Sequence, residues 1–186
     1  MLRLLILLIA LPVASQAQFA LSAGIRSLAG DTEGSTDDDR RGFEGAIRYD
    51  RDLRGAFAWR AELTAVQMQY QRDDGTDRYQ VSENSVELGA LLRASMPRGA
   101  FTGVYGLLGP VTSWRLVCGA SGQNSTDCDP GKEASTGYVL GIGYQSPITP
   151  RRDLAFELRY SDGVVAGAGA PILTVSLGLV WARREN

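Results

Sequence analysis

Leu154-Ala155-Phe156-Glu157-Leu158-Arg159-Tyr160-Ser161, followed after a small-residue link by Leu173-Thr174-Val175-Ser176-Leu177-Gly178-Leu179-Val180-Trp181, decides the fold. Leucines and aromatics alternate here with Glu, Arg, Ser, Thr and Gly. Side chains on a strand point to opposite faces with period two, so each run has one greasy face and one polar or small face. The polar face of the first run holds both Glu157 and Arg159, and the medium each face meets decides the protein's class.

The same pattern recurs upstream. Phe19, Leu21, Ala23 and Ile25 oppose Ala20, Ser22, Gly24 and Arg26, and Phe43, Gly45, Ile47 and Tyr49 oppose Glu44, Ala46, Arg48 and Asp50. Phe57, Trp59, Ala61 and Leu63 face away from Ala58, Arg60, Glu62 and Thr64. Beyond Ala65 the apolar set becomes Val66, Met68 and Tyr70, which implies either a bulge near Thr64–Val66 or an extension past the hydrophobic layer. Val86, Leu88, Ala90 and Leu92 oppose Glu87, Gly89, Leu91 and Arg93, and Tyr138, Leu140, Ile142 and Tyr144 oppose Val139, Gly141, Gly143 and Gln145. The fifth run, Phe101 to Leu116, is apolar or Gly on both faces; Phe101, Tyr105, Leu107 and Val111 are expected outward, and Pro110 marks a bulge or an edge position. No helical stripe interrupts the series.

Eight such runs, each near the ~9–11 residues with which a tilted strand crosses a bilayer, predict an all-β, closed, up-and-down antiparallel eight-stranded transmembrane barrel. The links after runs two, four and six are short, and those after runs one, three, five and seven are mostly longer, as when alternate links emerge at opposite ends of a barrel. Charge follows the same division. Arg51, Arg54, Arg98, Arg151, Arg152, Arg183 and Arg184 lie in the short links and the tail, whereas Asp31, Glu33, Asp37, Asp38, Asp39, Asp73, Asp74, Asp77, Asp127, Asp129 and Glu133 lie in the long ones.

The start of the chain reads as an export signal. Met1-Leu2-Arg3, an apolar run from Leu4 to Val13 and Ser15-Gln16-Ala17 fit a cleaved signal peptide over residues 1–17, leaving a barrel domain over 18–186. Export makes a disulfide between Cys118 and Cys128 the expected state of those thiols. A net charge of −2 gives no ground for nucleic-acid binding.

The two faces are not interchangeable. Glu44, Arg48, Arg60, Glu62, Glu87, Arg93, Glu157 and Arg159 all fall opposite the leucines and aromatics. A soluble lipocalin-like barrel would turn them to water and enclose the greasy face. A membrane barrel turns the greasy face to lipid and fills its lumen with the charges, because Arg on the lipid side costs roughly 2–4 kcal/mol at the midplane. Aromatics near the run ends (Phe19, Tyr49, Phe57, Trp59, Tyr144 and Trp181) favour the membrane version. The eight charged residues are therefore expected to form a lumen ion-pair network.

On these features the chain resembles the small eight-stranded outer-membrane barrels, the family of the OmpA transmembrane domain and OmpX. The stretches that carry the likeness are Gly137-Tyr138-Val139-Leu140-Gly141-Ile142-Gly143-Tyr144, Leu154 to Tyr160 and Leu177-Gly178-Leu179-Val180-Trp181. The resemblance implies a bacterial outer-membrane location with long loops outside and termini in the periplasm. Its implied partners are membrane lipid, lipopolysaccharide and the barrel assembly machinery, with a surface ligand possible at the loops. Barrels of this kind commonly end on an aromatic residue, but here Ala182-Arg183-Arg184-Glu185-Asn186 follows Trp181.

The chain contains no His. The most accessible general base near neutral pH is therefore missing, and no Ser–His or Asp–His constellation is possible. Neither Asp37-Asp38-Asp39 nor Asp73-Asp74-Gly75-Thr76-Asp77 has EF-hand spacing. No catalytic, cofactor-binding or metal site is expected. A structural or surface-interaction role comes first, a small pore second and a soluble ligand-binding barrel third.

Overall fold

The computed structural model describes residues 17–28, 41–73, 78–96, 102–121, 134–164 and 171–181. Every regular element among them is a strand: β1 (Ala17–Leu28), β2 (Arg41–Arg54), β3 (Phe57–Asp73), β4 (Arg78–Ser95), β5 (Val104–Ser121), β6 (Ala134–Thr149), β7 (Arg152–Asp162) and β8 (Ile172–Trp181). Each pairs antiparallel with its neighbour in sequence, and β1 pairs with β8, so the sheet closes on itself. The closing ladder runs from Phe19 opposite Trp181 to Leu28 opposite Ile172. Closure leaves no strand edge unpaired.

The register fixes the barrel's shape. From Gln67 the partners run through Phe43, Ile25, Val175, Leu158, Ile142, Gly106 and Ala94 and return to β3 at Phe57, ten residues from the start. A stagger of this kind requires tilted strands and leaves a lumen just wide enough for side chains to fill.

The greasy face lies outside. Phe19, Leu21, Ile25, Ile47, Leu88, Leu140, Ile142, Phe156 and Leu177 are exposed, while Glu44, Arg48, Arg60, Glu62, Glu87, Arg93, Glu157 and Arg159 are buried. An enclosed apolar face, as a soluble barrel would need, does not form. Outward aromatics stand toward both rims, Phe43, Trp114 and Tyr138 toward the far one and Phe19, Tyr49, Trp59 and Trp181 at the one that carries the chain ends and the short links. There the Phe19 and Tyr49 rings lie 5.1 Å apart and the Tyr49 and Trp59 rings 6.4 Å apart.

Three expectations are refined or corrected. First, β3 has no bulge at Thr64–Val66: Thr64 pairs Ala46, Ala65 pairs Gly45 and Val66 pairs Glu44 without a shift. Val66 and Met68 stay on the inner face, buried, while Gln67 and Gln69 are exposed. The strand has simply risen past the apolar layer. Second, the pairing of β3 with β4 continues to Asp73 opposite Arg78, leaving only residues 74–77 as a link. What reads in sequence as a long link is largely ladder. Third, β5 faces the other way. Tyr105, Leu107 and Val111 are buried at 1%, 2% and 4% exposure, and Leu108 and Trp114 face out. The expected outward facing of Tyr105, Leu107 and Val111 is therefore wrong, while Phe101 lies outside the described residues.

Room for Tyr105 comes from its cross-strand partner Gly143, where a Cβ would overlap the ring. Overpacking a filled interior typically costs about 1–3 kcal/mol. Gly143→Ala is expected to lower barrel stability by about that amount, with the urea midpoint of tryptophan fluorescence as the measurement. An unchanged midpoint would contradict this placement of Tyr105.

Candidate functional site: the lumen

Alternation on all eight strands delivers polar side chains to the barrel axis, where the charged ones form three tiers, the lower two joined through Arg60. At the tier nearest the chain ends, Asp50 on β2 accepts from Arg60 Nε at 2.6 Å, Arg60 Nη2 at 2.8 Å and Arg93 Nη1 at 2.9 Å. Arg93 Nη2 also donates to Gln145 Oε1 at 2.8 Å, and Gln145 Nε2 donates to Asp153 at 2.8 Å. The Arg93 guanidinium sits 4.0 Å from the centroid of the Tyr105 ring. A cation over an aromatic face gains attraction beyond its hydrogen bonds.

Glu157 is the hub of the middle tier. Its side chain is fully enclosed, and it receives hydrogen bonds from Arg60 Nη1 at 2.6 Å, the Tyr105 hydroxyl at 2.6 Å and Arg159 Nε at 2.8 Å. Arg48 Nη1 approaches its other oxygen at 3.1 Å. Glu62, the second acid of this tier, takes Arg159 Nη2 at 2.7 Å and Arg48 Nε at 3.0 Å. Arg60 on β3 with Glu157 on β7, and Arg159 on β7 with Glu62 on β3, cross the lumen twice between residues 97 apart in sequence.

The third tier is built on Arg26 of β1. It donates in a fork to both oxygens of Glu87 at 2.6 Å and through Nε to Glu44 at 2.6 Å. Such planar two-pronged pairing is the strong form of a guanidinium–carboxylate contact. Arg115 and Glu83 pair above it at 3.1 Å. Beside the charges, against β4, β5 and β6, part of the lumen is apolar. After Gly163, which takes a positive φ of 76°, Val164 packs with Leu91, Val111 and Val139, and the Ser135 hydroxyl donates to its carbonyl.

All eight charged residues singled out in sequence lie inside, in two groups: Arg48, Arg60, Glu62, Arg93, Glu157 and Arg159 are linked, Arg93 through Asp50, whereas Glu44 and Glu87 meet at Arg26. Arg26, Asp50, Glu83, Tyr105, Arg115, Gln145 and Asp153 accompany them and were not singled out. For Arg26 and Asp50 the alternation itself carried the signal; for Tyr105 it did not. The cross-link expected between Cys118 and Cys128 lies outside the described residues, as do residues 1–16 of the signal segment expected over 1–17, while its last residue, Ala17, begins β1.

No family model and no curated protein matches the chain. Solved structures do. The attachment invasion locus protein Ail of Yersinia pestis superposes with a TM-score of 0.55 at 14% identity, covering 90% of this chain and 98% of that one. Its structure in complex with the heparin analogue sucrose octasulfate gives 0.52 at 16%, covering 90% and 98%. The outer-membrane protein OprG of Pseudomonas aeruginosa gives 0.58 at 9%, covering 92% and 97%. The chain has the fold of the small outer-membrane barrels.

Removing one partner of a buried ion pair typically costs ~3–5 kcal/mol, because the remaining charge is left uncompensated. Glu157→Ala strands Arg60, Arg48 and Arg159 together and is expected at the upper end of that range. Glu157→Gln keeps one acceptor oxygen and the side-chain volume, although its NH2 now meets arginine donors, so it is expected to cost less than the alanine. Urea unfolding of the two variants in the same micelles checks the order; equal stability of wild type and Glu157→Ala would refute the hub assignment.

Proposed function

We propose that the protein is a non-enzymatic component of a bacterial outer membrane whose barrel is a plugged platform for surface interaction. The observation that carries this reading is the uneven height of the wall. β3, β4 and β5 have 17, 18 and 18 residues, whereas β7, β8 and β1 have 11, 10 and 12. At ~3.3 Å per residue the excess of about six residues lifts one side of the barrel by about 20 Å along the strands. A strand needs no such length to cross a bilayer. On the raised part the outward positions Gln67, Gln69, Asn84 and Gln80 are polar and exposed, while Leu116 and Val117 of β5 give the same wall an exposed apolar patch.

The filled lumen supports a platform over a pore. Guanidinium and carboxylate groups neutralise one another across the axis, and the cluster around Val164 fills the lumen beside them. The absence of His from all 186 residues and the pairing of the lumen carboxylates with arginine support a role without catalysis. The raised end is assigned to the cell exterior and the chain ends to the periplasm, in keeping with arginine-rich short links and acidic long ones. Membrane lipid, lipopolysaccharide and the assembly machinery are then the partners of biogenesis and residence, and a surface ligand would meet the raised wall and the links above it. Ail, whose fold is similar, has been solved with a heparin analogue. The acidic links here disfavour a polyanion and suit an uncharged or cationic partner.

Two measurements test this. Planar-bilayer recordings are expected to give no steady channel for wild type or Arg159→Ala; stable openings that change with that substitution would replace the platform with a pore. In a binding screen of the folded barrel against matrix proteins and lipopolysaccharide, replacing residues 70–81 by a short turn is expected to weaken any ligand at least about tenfold. The heat-modifiable gel shift of the barrel should persist. Undiminished binding would remove the wall from the function.

A further inference from the structure

Adjacent residues at the chain-end rim are sorted by charge across the thickness of the wall. In Asp50-Arg51 and Arg152-Asp153, both aspartates turn inward and are buried, where Asp50 serves Arg60 and Arg93 and Asp153 serves Gln145. Both arginines turn outward, Arg51 half-exposed and Arg152 exposed. Neither has an ion pair among the described residues, although carboxylates are their immediate chain neighbours.

Each of these arginines is the direct cross-strand partner of an outward tryptophan. Arg51 opposes Trp59, and Arg152 opposes Trp181. The two pairs flank the closing seam, with Phe19 opposite both Trp181 and Tyr49 between them. Above this level the outer face is free of charge until Arg41 and Asp162 at the other rim. The arginines therefore stand where an apolar, lipid-facing band gives way to water, beside the aromatic residues that favour that boundary. A guanidinium there has a phosphate oxygen as its natural partner, and its planar fork matches phosphate geometry.

The geometry points to an anionic-phospholipid site at this rim: Arg51 and Arg152 each hold the phosphodiester of a negatively charged glycerophospholipid while Trp59 and Trp181 pack on its glycerol and upper acyl chain. The occupant is a lipid rather than a free phosphate because the arginines border an apolar wall, so the acyl chains supply part of the binding. The site rests on the membrane-barrel reading above. It assigns to that reading a lipid preference in the leaflet facing the chain ends.

Native mass spectrometry of the full-length folded barrel, equilibrated with equal phosphatidylglycerol and phosphatidylcholine, tests the site. Wild type is expected to retain phosphatidylglycerol preferentially, and excess inorganic phosphate should not displace it. Arg51→Gln with Arg152→Gln should reduce phosphatidylglycerol retention on the order of tenfold and leave phosphatidylcholine unchanged. Arg51→Lys with Arg152→Lys, which keeps charge without the fork, should fall between. If the double glutamine variant does not fold, each single variant should give about a threefold loss. Equal retention of the two lipids by wild type, undiminished retention by the glutamine variants, or displacement by phosphate alone would overturn the proposal. A wild type without a heat-modifiable gel shift would instead overturn the membrane-barrel reading.

Discussion

The ion lattice around Glu157 is the constraint on which the rest of the structure depends. Three guanidinium groups and the Tyr105 hydroxyl converge on one fully enclosed carboxylate. None of these groups could be moved to the outer face without placing charge in the apolar band. Once they occupy the axis, every alternate residue is committed to the outside, and the large ones in the apolar band are leucine, isoleucine, valine and aromatic residues. The polar interior therefore does more than fill space: it dictates that the exterior be apolar and that its solvent be lipid. Contacts between β3 and β7 across the axis also brace opposite walls, which neighbour-to-neighbour hydrogen bonding alone does not do.

How much of this was legible follows from contrast between faces. Where a charge alternates with a large apolar residue, as at Glu157 between Phe156 and Leu158, facing is unambiguous because a one-residue slip would reverse both. Seven of the eight strands and the inward eight charges have this kind of signal. β5 lacks it: Val104, Gly106 and Leu108 are no more polar than Tyr105, Leu107 and Gly109. The deciding terms for Tyr105 are a hydrogen bond to Glu157, cations near its ring and the missing side chain at Gly143, all supplied by other strands. An aromatic with a hydroxyl belongs wherever that hydroxyl finds a partner. No reading of β5 alone contains that information.

The upper reaches of β3 and β4 were obscured for a different reason. Above the apolar layer both faces of the ladder carry polar residues, with Gln67 and Asn84 outside and Glu83 and Ser85 inside. Period-two hydrophobicity vanishes although the backbone pairing continues from Val66 opposite Ser85 to Asp73 opposite Arg78. Hydropathy reports the medium around a strand, not its hydrogen bonds, so the point where the pattern fades marks the edge of the lipid layer and not the end of the sheet. Val66 and Met68 show the mixed interior at this height: both are enclosed, yet they oppose the buried Glu44 and Glu83.

The two rims then differ by necessity. On the side of the chain ends the wall stops soon after the aromatic belt, so Asp50 and Asp153 are drawn into the lowest lumen tier and their neighbours Arg51 and Arg152 are left outside. On the raised side three tall strands carry the sheet past the ends of β7, β8 and β1. A barrel of uniform height would offer the exterior only its links. This one offers a paired, rigid face as well, and rigidity lowers the ordering entropy that a binding partner would otherwise have to overcome. The same closed lattice that fills the lumen holds that face in place, so filling the barrel and bracing the wall are two consequences of one arrangement of charges.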